Sequence, residues 1–347
     1  MMGTKVFYRK WIPGLLLAAV AYSCDVHEFP KVEPEQAGFT LHLEFETDLP
    51  LHQVVDHTTR AEDPSMMCDI RYTINAYCCD QNMNYDREAD YTFVVTKDEV
   101  SDPDHDVELK LDAGVYHFIV WADYVDDDST EDKYYDTGNF EEICLQGEHC
   151  GCTELRDAFY GTVDAEVGAN AAEAHITMQR PLARYNFVSN DLGEFITRVL
   201  EMRAQNAALK GGDPALADEG TRTVNLDDFK VVFRYAGFMP SAFNPFTGKP
   251  CDAATGVSFE SKLTKIDDTD VELGFDYVFV NGSESKVPVA VEIYDKDGTL
   301  LSSTDAVEVP IVRSKHTTVR GKFLTSEASG NVGIDPGFDG DWNYEIK

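Results

Sequence analysis

The sequence predicts a mainly β protein: two tandem β-sandwich domains, residues 39–180 and 181–347, with one helix early in the second. Three observations carry this. Apolar and polar residues alternate with period two in short runs, the mark of half-buried strands. Turn-forming residues break these runs at short intervals, which favours sandwiches over alternating strand and helix units. The 347-residue chain is also longer than one core usually serves.

Taken in order, residues 1–23 read as a bacterial lipoprotein signal peptide. Lys5, Arg9 and Lys10 form a basic flank, and the run from Ile12 to Ala21 is too short to cross a hydrocarbon core of about 30 Å as a helix. Ser23 supplies the small residue before the cut, and Cys24 then becomes a lipid-bearing N-terminus. Two or three acyl chains anchor stably where one is marginal. The alternative is an ordinary secretory signal, since Ala21 stands where a lipobox favours Leu, Val or Ile. Residues 24–38, polar with two prolines, form a short tether.

Phe39, Leu41, Leu43 and Phe45 alternate with polar residues and open the first sandwich. Runs at Ile70–Ala76, Tyr91–Val95 and Val107–Leu111 continue it. The turn Asp112-Ala113-Gly114 predicts a hairpin between that last run and Val115–Trp121. Phe159–Val163 and Ala174–Met178 complete this half. Pro181, which cannot donate to a ladder, marks the boundary. A strand from Arg184 to Ser189 follows. Asp191 then starts a helix with Phe195, Val199, Leu200 and Met202 on one face. Beyond the loop from Lys210 to about Thr221, strands are expected at 229–236, 257–263, 271–280, 287–294, 305–312 and 316–323. The alternation Trp342-Tyr344-Ile346 suggests a final edge strand.

Loss of residues 1–23 removes three basic and no acidic residues, taking the net charge from −34 to −37. Such a body is repelled by nucleic acid and by anionic lipid surfaces. Cys68, Cys78, Cys79, Cys144, Cys150, Cys152 and Cys251 are an odd set for an oxidising compartment, and their pairing stays open.

No catalytic constellation emerges. His149, Cys150 and Cys152, with Cys144 nearby, lack a standard zinc spacing. Asp295-Lys296-Asp297-Gly298 opens like a calcium loop, but Ala306 stands where the closing glutamate belongs. Asp335, Asp339 and Asp341 are calcium candidates around two glycines, and Asp126-Asp127-Asp128 with Glu131 and Asp132 is another; the leading expectation for each is a solvated loop with no metal or other cofactor. No serine sits in a nucleophile elbow. The protein is expected to be a non-enzyme.

Several segments resemble one family. They are Cys24-Asp25-Val26-His27-Glu28-Phe29-Pro30, Leu41–Phe45, Tyr116–Tyr124, Arg156-Asp157-Ala158-Phe159, Arg180-Pro181-Leu182-Ala183-Arg184, Phe275–Gly282 and Pro310–Lys315. Together they are similar to the fimbrillin-like outer-membrane lipoproteins of Bacteroidales, an uncharacterised domain family allied to the minor-fimbria anchor subunits. The resemblance implies transthyretin-like sandwiches, a lipid anchor at Cys24, outer-membrane attachment facing the exterior, and fimbrial subunits as partners. Such subunits assemble by β-strand addition. Shaft subunits of this kind lose their first strand to an arginine-specific protease, and Arg60 is where such a cut would fall here; anchor subunits keep it. The alternative function is a surface lipoprotein that binds a glycan or host ligand without polymerising.

Overall fold

The computed structural model describes residues 36–46, 68–98, 104–168, 172–209, 224–326 and 342–345. The first half contributes β1 (Ala37–Phe45), β2 (Cys68–Cys78), β3 (Tyr91–Lys97), β4 (His105–Leu111), β5 (Gly114–Asp126), β6 (Tyr135–Asp136), β7 (Ile143–Leu145), β8 (Ala158–Val167) and β9 (Ala172–Met178). Two sheets, ordered β4-β1-β9 and β3-β2-β5-β8, face each other. Phe39, Leu41, Leu43, Val107 and Leu109 from one meet Tyr72, Ile74, Phe118 and Val120 from the other in a common core.

The expected hairpin between β4 and β5 does not form. β4 pairs with β1, whereas β5 pairs with β2 and β8. The turn at Asp112–Gly114 instead arches the chain from one sheet to the other. Both strands point their apolar residues into the same core, so the alternation on either side of the turn is what a hairpin would also show.

The second half comprises β10 (Leu182–Ser189), the helix α1 (Leu192–Leu209), β11 (Phe229–Tyr235), β12 (Met239–Asn244), β13 (Lys249–Ala254), β14 (Ser258–Lys262), β15 (Thr264–Lys265), β16 (Val271–Phe279), β17 (Glu284–Asp295), β18 (Leu300–Ser303), β19 (Val307–Val312), β20 (His316–Gly321) and β21 (Trp342–Glu345). One sheet runs β15-β16-β10-β20-β21, and the other runs β14-β11-β17-β18 with β19 also on β17. Leu192, Phe195 and Val199 sink one face of α1 into the core between them, with Ile196 and Met202 packed alongside. Gly274 sits at a bulge where β10 and β16 slip register between Phe187 and Val188. A Cβ there would lie 2.8 Å from the Phe233 ring and 2.9 Å from the Cys152 sulfur, so only glycine fits.

A further sheet, ordered β13-β12-β7-β6, draws strands from both halves, and none of its members is expected from the sequence. Ala242 and Phe243 of β12 pair with Cys144 and Ile143 of β7. Around this sheet lies another apolar cluster, in which Tyr77, Ile119 and Trp121 from the outer face of β2 and β5 meet Phe243, Tyr277 and Phe279. The central strands β2 and β5 are consequently buried on both faces. Gln36–Lys347 form one compact unit.

Candidate functional site

The first strand has an unusual seat. It is the first strand in the described chain, yet it occupies the middle of its sheet, antiparallel to β4 and parallel to β9. Ala37 to Leu43 pair with Leu111 to His105 on one side, and Phe39 to Phe45 with Ala172 to Met178 on the other. Its inward residues Phe39, Leu41, Leu43 and Phe45 are at most 8 % exposed. Phe39 stacks on Phe118 at 5.2 Å, and Phe45 meets Phe159 edge-on at 4.8 Å. Extracting β1 would leave β4 and β9 about 9.6 Å apart, two strand spacings, with unpaired ladders facing each other across an apolar floor. On the outer face His42 bonds Asp106 at 2.7 Å and stacks on His175 at 4.5 Å. The hydrogen bond that the ring donates to Asp106 raises the His42 pKa.

Cys24, Arg60, Asp335, Asp339 and Asp341 lie outside the described residues. In sequence Arg60 falls between β1 and β2. Downstream, β21 adds to the edge of the second half's sheet, parallel to β20, with Trp342 opposite Thr317.

Four of the family-like segments, Arg156–Phe159, Arg180–Arg184, Phe275–Gly282 and Pro310–Lys315, meet at the junction of the halves and contribute to a largely buried polar network. Arg156 donates to Asp276 at 2.6 Å and to the Cys150 carbonyl at 2.9 Å. The other Asp276 oxygen takes the Tyr235 hydroxyl and the His149 ring, each at 2.6 Å. Burial alone would raise the Asp276 carboxyl, but the Arg156 charge and the His149 and Tyr235 contacts hold it below the usual carboxylate range. A second pair, Arg180 on Asp157 at 2.8 Å, is equally buried, and the guanidinium lies 4.5 Å over the Phe159 ring. Burial pushes the Asp157 carboxyl up despite Arg180. Nearer the surface Arg184 holds Glu154 at 2.8 Å, and Arg313 reaches the Tyr160 hydroxyl at 3.1 Å and the Gly248 carbonyl at 2.8 Å.

The Arg156–Asp276 and Arg180–Asp157 charges satisfy each other and tie the halves together, while the buried Nε of Arg313 makes no hydrogen bond. A cleft of about 530 Å³ opens beside the network, lined in part by Tyr134, His149, Cys150, Met239 and Val257. His149 and Cys152, which lack a zinc spacing in the sequence, have other partners: His149 bonds Asp276, while the Cys152 thiol contacts Ser261 at 3.1 Å. No disulfide forms among the described cysteines. No described helix is long and apolar enough to cross a membrane. Arg156, Asp157, Arg180 and Asp276 are not among the candidate functional residues that the sequence predicts. Their signal was present: Asp276 interrupts the apolar stretch Leu273 to Val280, and a charge there demands a buried partner.

The profile of a family of unknown function, DUF6562, matches residues 34–347. No curated protein matches the chain. Among solved structures the chain is similar to a Bacteroides thetaiotaomicron protein suggested to bind polysaccharide, at 11 % identity over 77 % of this chain and 79 % of that one, with a TM-score of 0.41. It is also similar to the fimbrial anchor protein Mfa2 from Porphyromonas gingivalis, at 10 % identity over 77 % and 82 %, with a TM-score of 0.36. A fimbrial assembly protein from Parabacteroides distasonis matches at 7 % identity over 85 % and 94 %, with a TM-score of 0.36. These are likenesses of fold.

Proposed function

We propose that this chain, which belongs to the DUF6562 family of unknown function, is a cell-surface lipoprotein of the outer membrane, an anchor or accessory subunit of a fimbria that assembles by β-strand complementation. The observation that carries the reading is the seat of β1. A strand near the chain's start lies between two others and fills their core with four alternate apolar side chains. Such a strand is replaceable by a donor with the same alternation, because ladder bonds give affinity and alternate side chains give register.

Retained, β1 closes the groove and connects the fold to the tether at Cys24. Removed by a cut after Arg60, it would open the groove to a neighbouring subunit. The anchor reading is the retained state. The buried junction suits that role, since a load entering the second half reaches Cys24 only through the first. Binding energy does all the work, and no catalytic group is required.

The test is co-expression with candidate pilins from the same gene neighbourhood. The reading expects heat-sensitive but SDS-stable complexes that contain β1. Monomer with every partner would overturn it.

A further inference from the structure

Arg71, Thr73 and Asn75 alternate along β2 on the face opposite Tyr72, Ile74 and Ala76, which fill the core of the first half. In the β2–β3 ladder they stand across from Thr96, Val94 and Thr92. The loop after β5 and the turn after β6 fold over this polar face. A cavity of about 320 Å³ lies between them, bordered by Thr73, Asn75, Val94, Thr130, Asp132 and Phe140 among others. That volume is at the small end of the range for ligand pockets, about 300–1,000 Å³. Thr73 is 5 % exposed, and its buried hydroxyl has no hydrogen-bond partner. An idle buried hydroxyl is costly, and one rotamer step about χ1 turns it toward the cavity. Beside it the Asn75 amide donates to the Tyr77 hydroxyl at 3.2 Å and accepts from Thr92 at 2.7 Å, which leaves one amide hydrogen and one lone pair. Arg71, the one cation among the described lining residues, is held by Asp123 and Asp132. Asp132 is engaged in turn by the Thr137 hydroxyl at 2.8 Å and amide at 3.2 Å.

We propose that this cavity binds a neutral sugar ring, one hexose unit of a glycan, with Thr73 and Asn75 as its polar contacts and Val94 as its apolar wall. Hydroxyl and amide groups both donate and accept, which suits the dense hydroxyls of a sugar. Val94, 44 % exposed, gives the ring's C–H face a surface to lie on. A guest here must replace the hydrogen bonds of the water it displaces, which a purely apolar one does not do. An anion finds no free cation in the cavity and meets a chain of net charge −34. No three described His, Cys, Asp or Glu side chains are placed to hold a metal, so Asp132 serves as a hydrogen-bond acceptor. The cavity lies on the face of β2 turned away from the core that β1 fills, so strand complementation leaves it open. The sugar site therefore stands or falls independently of the anchor reading.

The experiment screens the purified chain on an array of neutral glycans, then titrates it by calorimetry with the methyl glycosides of glucose, mannose and galactose. Glucosamine and glucuronate serve as charged controls. The expected result is saturable binding of a neutral saccharide that weakens about tenfold in Thr73→Val. That variant keeps the side chain's shape and drops only the idle hydroxyl, so it should melt no lower than the parent. Val94→Glu, at an exposed position, puts a charge on the apolar wall and gives the same loss should Thr73→Val fail to fold. No saturable binding of any neutral saccharide, binding of the charged controls alone, or parental affinity in the folded variant would overturn the assignment.

Discussion

Asp276→Asn is the sharpest probe of the junction. The substitution keeps the side chain's shape and one acceptor but deletes the charge facing Arg156, whose side chain is 3 % exposed. Breaking a buried pair from one side strands the other ion, at a cost of about 3–5 kcal/mol. That is a large share of the roughly 5–15 kcal/mol that holds a typical fold together. At roughly 2 °C per kcal/mol for a unit of this size, the melting temperature should drop by about 6–10 °C. Denaturant unfolding at pH 7 measures the loss directly. Adding Arg156→Met should recover about 1–3 kcal/mol, because the double variant no longer buries an orphan charge. The pH dependence carries the same logic. Asp276 is depressed in the fold, so its contribution is fully present above the unfolded value near 4 and is lost as pH falls through the lower folded value. The gap between parent and Asp276→Asn should therefore hold from pH 5 to 8 and narrow below about pH 4. A loss under about 1 kcal/mol at pH 7, or a gap that widens on acidification, would refute the argument.

Two other substitutions test the packing. Leu41→Ala removes a fully buried side chain from the middle of β1 and should cost about 2–5 kcal/mol by denaturant unfolding, whereas Thr40→Ala on the outward face should cost under about 0.5 kcal/mol. Equal losses would mean that β1 does not fill the core as described. Gly274→Ala should cost about 1–3 kcal/mol, since its Cβ meets Phe233 and Cys152 and its φ of 151° suits glycine; a neutral result would show that the bulge relaxes freely.

Much of the fold was legible because most strands carry the period-two pattern over five or more residues. Leu41, Leu43 and Phe45 announced both the strand and its buried face. The turn at Asp112–Gly114 predicts a hairpin that does not form, because an arch between sheets and a turn within one have the same local chemistry. Only partners distant in sequence, β1 for one strand and β2 for the other, distinguish them. The bridging sheet was invisible for a different reason. β6 and β7 span two and three residues, too short for any period, and Pro240 in β12 argues against a strand unless the register is irregular, as it is there. At the candidate site, the alternation that makes β1 a strand was readable, but its central place was not, because register is set by distant ladders. Arg156 and Asp276 stand 120 residues apart, so no local pattern in the sequence pairs them.

The central claim is that β1 stays with the chain as part of a lipid-tethered anchor. The most direct measurement is the intact mass and N-terminus of the native protein from isolated outer membrane. The account predicts a chain that begins at an acylated Cys24 and still carries Phe39 to Phe45. A chain that begins at Ala61, or an unacylated one released into the medium, would contradict it.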